Sequence, residues 1–132
     1  MKITRRQLKK LILQEMAREK LPYQYEMLNY IKEDLIREFG NHDKVVKINI
    51  LESSLVVWLK GLDSMGYRRY IRIAYSRKTG RLYLITDPSI IQSLSTSPQS
   101  SYQRIILDLN DDNVFHKLRN YIHEIVAIYD TI

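Results

Sequence analysis

Residues 67–81 read YRRYIRIAYSRKTGR, with six basic side chains, three tyrosines and no acidic residue. Guanidinium and ammonium groups can meet phosphate oxygens, and flat phenol rings can stack on unpaired bases, so the mixture suits a nucleic-acid surface. The same residue types also form the solvated side of ordinary antiparallel strands, where they give solubility and cross-strand pairing. Which of the two applies depends on which side chains share a face.

Other chemistry is thinly represented. The chain has no GxSxG elbow, Walker lysine loop, HExxH pair or EF-hand pattern. His116 and His123 lie seven apart with Asn120 between them, and His42 is remote in sequence, so a good third metal ligand is lacking. Asp108, Asp111 and Asp112 suit a helix N-terminus better than a magnesium site. Neither catalysis nor a cofactor or metal is expected. A nuclease assembled from scattered Asp, Glu and Lys is the enzymatic alternative.

The elements that must position the basic stretch follow from periodicity. ITRRQLKKLILQEMAREK is helical in pattern, with a Thr4–Gln7 capping box and a stripe of Leu8, Leu11, Ile12 and Met16. After Pro22, YQYEMLNYIKEDLIREFG predicts a second helix with Met27, Leu28, Ile31, Leu35 and Phe39 inward and Gly40 as a left-handed cap. From Lys44 the period becomes two. KVVKINILE, LVVWLKG, YRRYIRIAYS and GRLYLITD predict four strands, and their short connectors force an antiparallel meander.

Residues 87–102 form a Ser-rich loop with room for one helical turn at residues 89–94, and RIILDL is a candidate fifth strand. Asn110 or Asp111 then caps a long helix, whose inward positions are Val114, Phe115, Leu118, Tyr121, Ile122, Ile125, Val126 and Tyr129. The expected fold is α+β. It is a four- to five-stranded antiparallel meander, with two N-terminal helices and one long C-terminal helix packed on one face. All 132 residues belong to a single domain in which residues 1–20 form a structural basic helix, with a separable tag as the alternative for that segment.

Strand alternation then sorts the side chains. Val46, Ile48 and Ile50 are expected inward, and so are Leu55, Val57 and Leu59. Ile71, Ile73 and Tyr75 share their face with Tyr67 and Arg69, and Leu82 and Leu84 complete it. Lys47, Asn49, Trp58, Lys60, Arg68, Tyr70, Arg72, Arg81 and Tyr83 fall on the opposite face, with Lys78 in the adjoining turn.

Charge supports a local rather than a general role. The net charge of +6 is concentrated in two islands. Residues 1–20 carry seven Lys/Arg against two Glu, and residues 67–81 carry six against none. The remainder is slightly acidic, which points to a face rather than to solubility alone. Arg5, Arg6, Lys9 and Lys10 crowd the first turns of a helix, where the macrodipole is already positive. They are candidates for contact with an anion or an acidic partner.

No cysteine occurs, no apolar run approaches membrane-spanning length, and no secretory signal pattern is present. A soluble protein is expected, in the cytoplasm of a host cell or in a virion.

Two resemblances add to this reading. MGYRRYIRIAYSRKTGRLYLITD, followed by RIILDLNDDNVFHKLRNYIHEIVAIYD, resembles the strand–strand–strand–helix end of the whirly-type transcriptional-coactivator single-strand DNA-binding proteins. The match is one of pattern and covers residues 65–129. MKITRRQLKKLILQEM resembles the N-termini of short tailed-phage proteins, among them internal head proteins with an amphipathic capsid-targeting helix. In that family a protease cuts after Leu/Ile-x-Glu. Leu13-Gln14-Glu15 fits, as do Ile31-Lys32-Glu33, Ile36-Arg37-Glu38 and Ile50-Leu51-Glu52.

The leading expectation is a phage-type protein that binds single-stranded nucleic acid in preference to duplex. The alternative is a virion or host-factor-inhibiting protein acting by protein contact. A homodimer is compatible with both.

Overall fold

A run that alternates apolar and polar side chains buries one face as a strand, and runs joined by tight turns pair with their neighbours. The structure is a computed structural model that describes residues 5–6, 23–63, 65–94 and 104–131. Its strands are β1 (Val45–Leu51), β2 (Ser54–Leu62), β3 (Arg68–Ser76), β4 (Arg81–Ile85) and β5 (Arg104–Asp108). They form one antiparallel sheet in the order β1-β2-β3-β4-β5. The helices among the described residues are α1 (Gln24–Phe39), α2 (Pro88–Gln92) and α3 (Val114–Thr131).

The expected α+β meander is present, with all five strands and the long C-terminal helix. The arrangement of helices differs from expectation. α1 is the one N-terminal helix described in full, and the short α2 stands between β4 and β5. Of the predicted first helix, Arg5 and Arg6 are described and helical, and the rest lies outside the described residues. α2 begins where Asp87 Oδ1 accepts the Ser89 amide at 3.0 Å, with Pro88 at the first position. Residues 95–103 of the Ser-rich stretch also lie outside the described residues.

One core joins the layers. Leu55, Val57, Leu59, Ile71, Ile73, Leu82, Leu84, Ile105 and Leu107 line the inner face of the sheet. Met27, Leu28, Ile31, Leu35 and Phe39 of α1 pack there, as do seven residues of α3 from Val114 to Tyr129 and Ile90 and Ile91 of α2. Each such aliphatic or aromatic side chain contributes about 1.5–3 kcal/mol by leaving water.

Three local expectations are corrected. Val46, expected inward from strand alternation, is exposed. β1 carries a bulge: Val45 pairs with Leu59 and Lys47 with Trp58, so Val46 is the extra residue and Val45 takes the inner position. Gly40 is right-handed, with φ −60 and ψ −28, because the last turn of α1 continues through it by a 2.8 Å bond to the Ile36 carbonyl. α3 starts at Val114 rather than directly after Asn110 or Asp111. The intervening residues form a turn in which Asp111 Oδ1 accepts the Asn113 amide at 2.9 Å. The Lys117 ammonium bonds Asp111 and, with that amide, holds its carboxyl below the usual range. Gly80 behaves as expected, with φ +67 in the β3–β4 turn and its amide on the Ser76 carbonyl at 2.9 Å.

One polar group sits inside the apolar stripe of α1. Asp34 is 1% exposed. Its Oδ1 accepts from Arg5 Nη2 at 2.6 Å and its Oδ2 from Arg119 Nη1 at 2.7 Å, with Arg37 Nη2 at 3.7 Å. A carboxylate taken out of water needs such partners, and these tie the N-terminal segment, α1 and α3 to one point.

Arg119→Ala is therefore expected to destabilise the fold by about 3 kcal/mol, because it leaves the buried Asp34 short of its most buried partner. Arg5→Ala should cost less than about 1 kcal/mol, since that arginine is largely in solvent. Denaturant midpoints would check the ranking, and equal losses would contradict it.

A second expectation concerns alkaline pH. Burial pushes the phenols of Tyr30, Tyr75 and Tyr129 above 10.0, and hydrogen bonds to Asp130 and Asp111 push Lys44 and Lys117 above 10.5. All five hold their proton more tightly folded than unfolded. Their contribution is complete below those unfolded values and is lost as pH rises through the folded ones. Thermal melts should give a level Tm up to about pH 10 and a falling Tm above it.

Candidate nucleic-acid interface

The face of the sheet turned away from the helices is built by register. Lys47 pairs with Trp58, Trp58 with Tyr70, Val56 with Arg72, Ala74 with Tyr83 and Ser76 with Arg81. Residues opposite one another share a face, so Lys47, Asn49, Trp58, Tyr70, Arg72, Arg81 and Tyr83 stand together as expected, and Arg68 follows by alternation along β3. Among the described residues, all three helices pack on the inner face and leave this one uncovered.

Trp58 and Tyr70 are cross-strand neighbours with ring centroids 6.1 Å apart and planes at 54°. The tilt leaves the rings in a shallow V rather than a closed stack. Trp58 Nε1 donates to Asn49 Oδ1 at 2.9 Å, which holds the indole against β1. Tyr70 is 40% exposed. Arg72 Nε donates to the buried Ser54 Oγ at 2.7 Å, so one edge of its guanidinium is anchored, and among the described residues neither Nη group takes an acceptor. Trp58, Tyr70, Arg72 and Ser54, with Leu51, Glu52 and Val56, line a depression of about 360 Å³. Val56, opposite Arg72 across the β2–β3 pair, is the nearly buried apolar residue of this lining.

The remaining predicted residues sit less centrally. Lys78 is exposed in the β3–β4 turn, beside the face rather than on it. Lys60 is exposed beyond Trp58, where the β2–β3 register is interrupted before Leu62, and it borders a crevice with Arg69, Val126 and Tyr129 on the helical side, so its expected place on the open face is corrected.

The six cations of residues 67–81 therefore divide. Arg68, Arg72 and Arg81 belong to the open face, Lys78 to the turn, and two face the helices. Arg69 Nη1 donates to the Tyr129 carbonyl at 2.8 Å and lies over that ring, while Arg77 lies 4.3 Å over the Tyr23 ring near the start of α1. Arg69 Nε is buried without a hydrogen-bond partner among the described residues.

Sequence reasoning missed β5's share. Arg104 pairs with Ile85 and lies 4.7 Å over the Tyr83 ring, a cation–π contact that extends the face by one strand. Alternation within RIILDL puts Arg104, Ile106 and Asp108 on this side, a signal available once that run is taken as a strand. The face is not uniformly basic. Lys47, Arg68, Arg72, Arg81 and Arg104 stand against Asp108, which pairs with Arg81, and Glu52 at the rim.

Of the N-terminal cations, Arg5 is bound to Asp34 and Arg6 is exposed, whereas Lys9 and Lys10 lie outside the described residues, as does Leu13-Gln14-Glu15. Two of the other Leu/Ile-x-Glu tripeptides lie within α1. The histidines are engaged locally: His116 Nε2 is 3.2 Å from Asn120 Nδ2, and His123 Nε2 is 2.9 Å from Glu38 Oε1. No helix of the described residues is long and apolar enough to cross a membrane. Comparison of the chain with protein-family models, with curated proteins and with solved structures found no match.

Proposed function

We propose that this protein binds unpaired nucleic acid across the open face of its sheet. The observation that carries this reading is the register-enforced grouping of Trp58, Tyr70 and Tyr83 with Arg68, Arg72, Arg81, Arg104 and Lys47, on a face that no described helix covers. Tilted, partly exposed rings suit bases splayed from a single strand, and the surrounding cations suit its backbone. A duplex would offer only its outer edges to so flat a surface, so single strands are the preferred ligand. No catalytic step is part of this function.

Tyr70→Ala should weaken binding of an unpaired oligonucleotide by about 1–3 kcal/mol through lost stacking, with little change in stability. Trp58→Ala should weaken it similarly but also cost stability, because the indole is half-buried and hydrogen-bonded. With roughly four phosphates neutralised by Arg68, Arg72, Lys78 and Arg81, the logarithm of affinity should fall against that of salt with a slope near about −3. Fluorescence anisotropy across a salt series measures both effects, and a flat salt response would end the reading.

Glu52 offers an opposite-signed test. It adopts φ +53 in the β1–β2 turn, a region that favours glycine, and it lines the depression. Glu52→Gly should leave stability unchanged or up to about 1 kcal/mol higher, and should tighten binding by removing a repulsive charge. Weaker binding in this variant would show that phosphate does not approach the rim.

A further inference from the structure

On the helical side of the molecule, remote from the open sheet face, lies a cavity of about 490 Å³. It is lined by Arg5, Arg6, Asp112, Asn113, His116 and Arg119. Among the described residues its positive charge exceeds its negative charge. Three guanidinium groups line it against one carboxylate, Asp112. The second nearby carboxylate, Asp34, is buried and bonded to both Arg5 and Arg119. Three positive charges against two negative leave an excess of one, before the third arginine near Asp34, Arg37, is counted.

The donors are likewise in surplus. A guanidinium carries five N–H groups. Arg5 and Arg119 each direct a hydrogen bond to Asp34, and Arg6 has no partner among the described residues. Asn113 and His116 add further polar atoms at the wall. Like charges gathered beside one cavity repel, and an occupant that accepts several N–H bonds and carries negative charge would offset that repulsion.

We infer that this cavity is an anion site for a phosphoryl group, separate from the sheet face. Arg5 and Arg119 are pre-oriented by Asp34, so their forks are held in place before a ligand arrives. Arg6, exposed and without a partner among the described residues, is the arm that completes the coordination. Asp112 opposes the anion and sets an upper limit on affinity. The phosphoryl group can belong to a small phosphorylated molecule or to the 5′ end of a nucleic-acid strand, since both present the same oxygens.

Isothermal titration of the full chain with inorganic pyrophosphate tests the site. Arg6→Gln should weaken binding about ten-fold, the loss of one charge-assisted contact, without changing Tm in the absence of ligand. Asp112→Asn should tighten it, and Arg68→Gln on the sheet face should leave it unchanged. A 5′-phosphorylated oligonucleotide that outcompetes its 5′-hydroxyl counterpart, with the preference lost in Arg6→Gln, would assign the group to a strand end. Equal competition alongside retained pyrophosphate binding would assign it to a small molecule. Absence of pyrophosphate binding, or equal weakening by Arg68→Gln and Arg6→Gln, overturns the proposal and leaves only diffuse surface charge.

Discussion

A pleated sheet that buries one face gives its alternate residues only one other place to go. Here Leu55, Val57, Leu59, Ile71, Ile73, Leu82 and Leu84 are drawn out of water against α1 and α3. A one-residue slip in any strand would exchange them for Trp58, Tyr70, Arg72 or Tyr83, placing charge in the core. The composition of the open face is thus tied to the hydrophobic energy of the buried one. The bulge at Val46 shows the constraint at work: the extra residue is extruded, and the inward positions on either side of it are kept.

The helical layer is organised around a polar point. A carboxylate inside an apolar stripe is stable only when its charge is met, and Asp34 is met from α1 itself, from α3 and from the N-terminal segment. The geometry specifies how α1 and α3 lie against each other more narrowly than interchangeable aliphatic contacts can. It also draws arginines from distant parts of the chain to one place, with charge in excess of what Asp34 can absorb. The same ion cluster that positions the helices thereby creates the electropositive cavity beside them.

The described part of the first basic island, Arg5 and Arg6, lies on a different side of the molecule from the open sheet face. Cations of residues 67–81 are shared between the open face and contacts with Tyr23 and Tyr129, where flat rings and a carbonyl accept them. Arg5 and Arg6 lie by α3. A linear charge count therefore overstates the basicity of the open face, which gains Arg104 from β5 but also bears Asp108 and Glu52.

By itself the sequence determined the strand and helix periods, the turn at Gly80, the inward stripes of α1 and α3, and the side of the sheet on which Trp58, Tyr70, Arg72 and Tyr83 stand. These follow from local rules, since alternation and helical spacing act between residues close in the chain. Tertiary structure alone decided the rest. Asp34 looks like one more solvated carboxylate until Arg5 and Arg119, 29 and 85 residues away, are folded onto it. Arg69 and Arg77 read as part of a basic face until the rings of Tyr129 and Tyr23 take them. Pairings over such distances carry no periodic signature, because they arise where separate elements meet, and that meeting is set by the core as a whole.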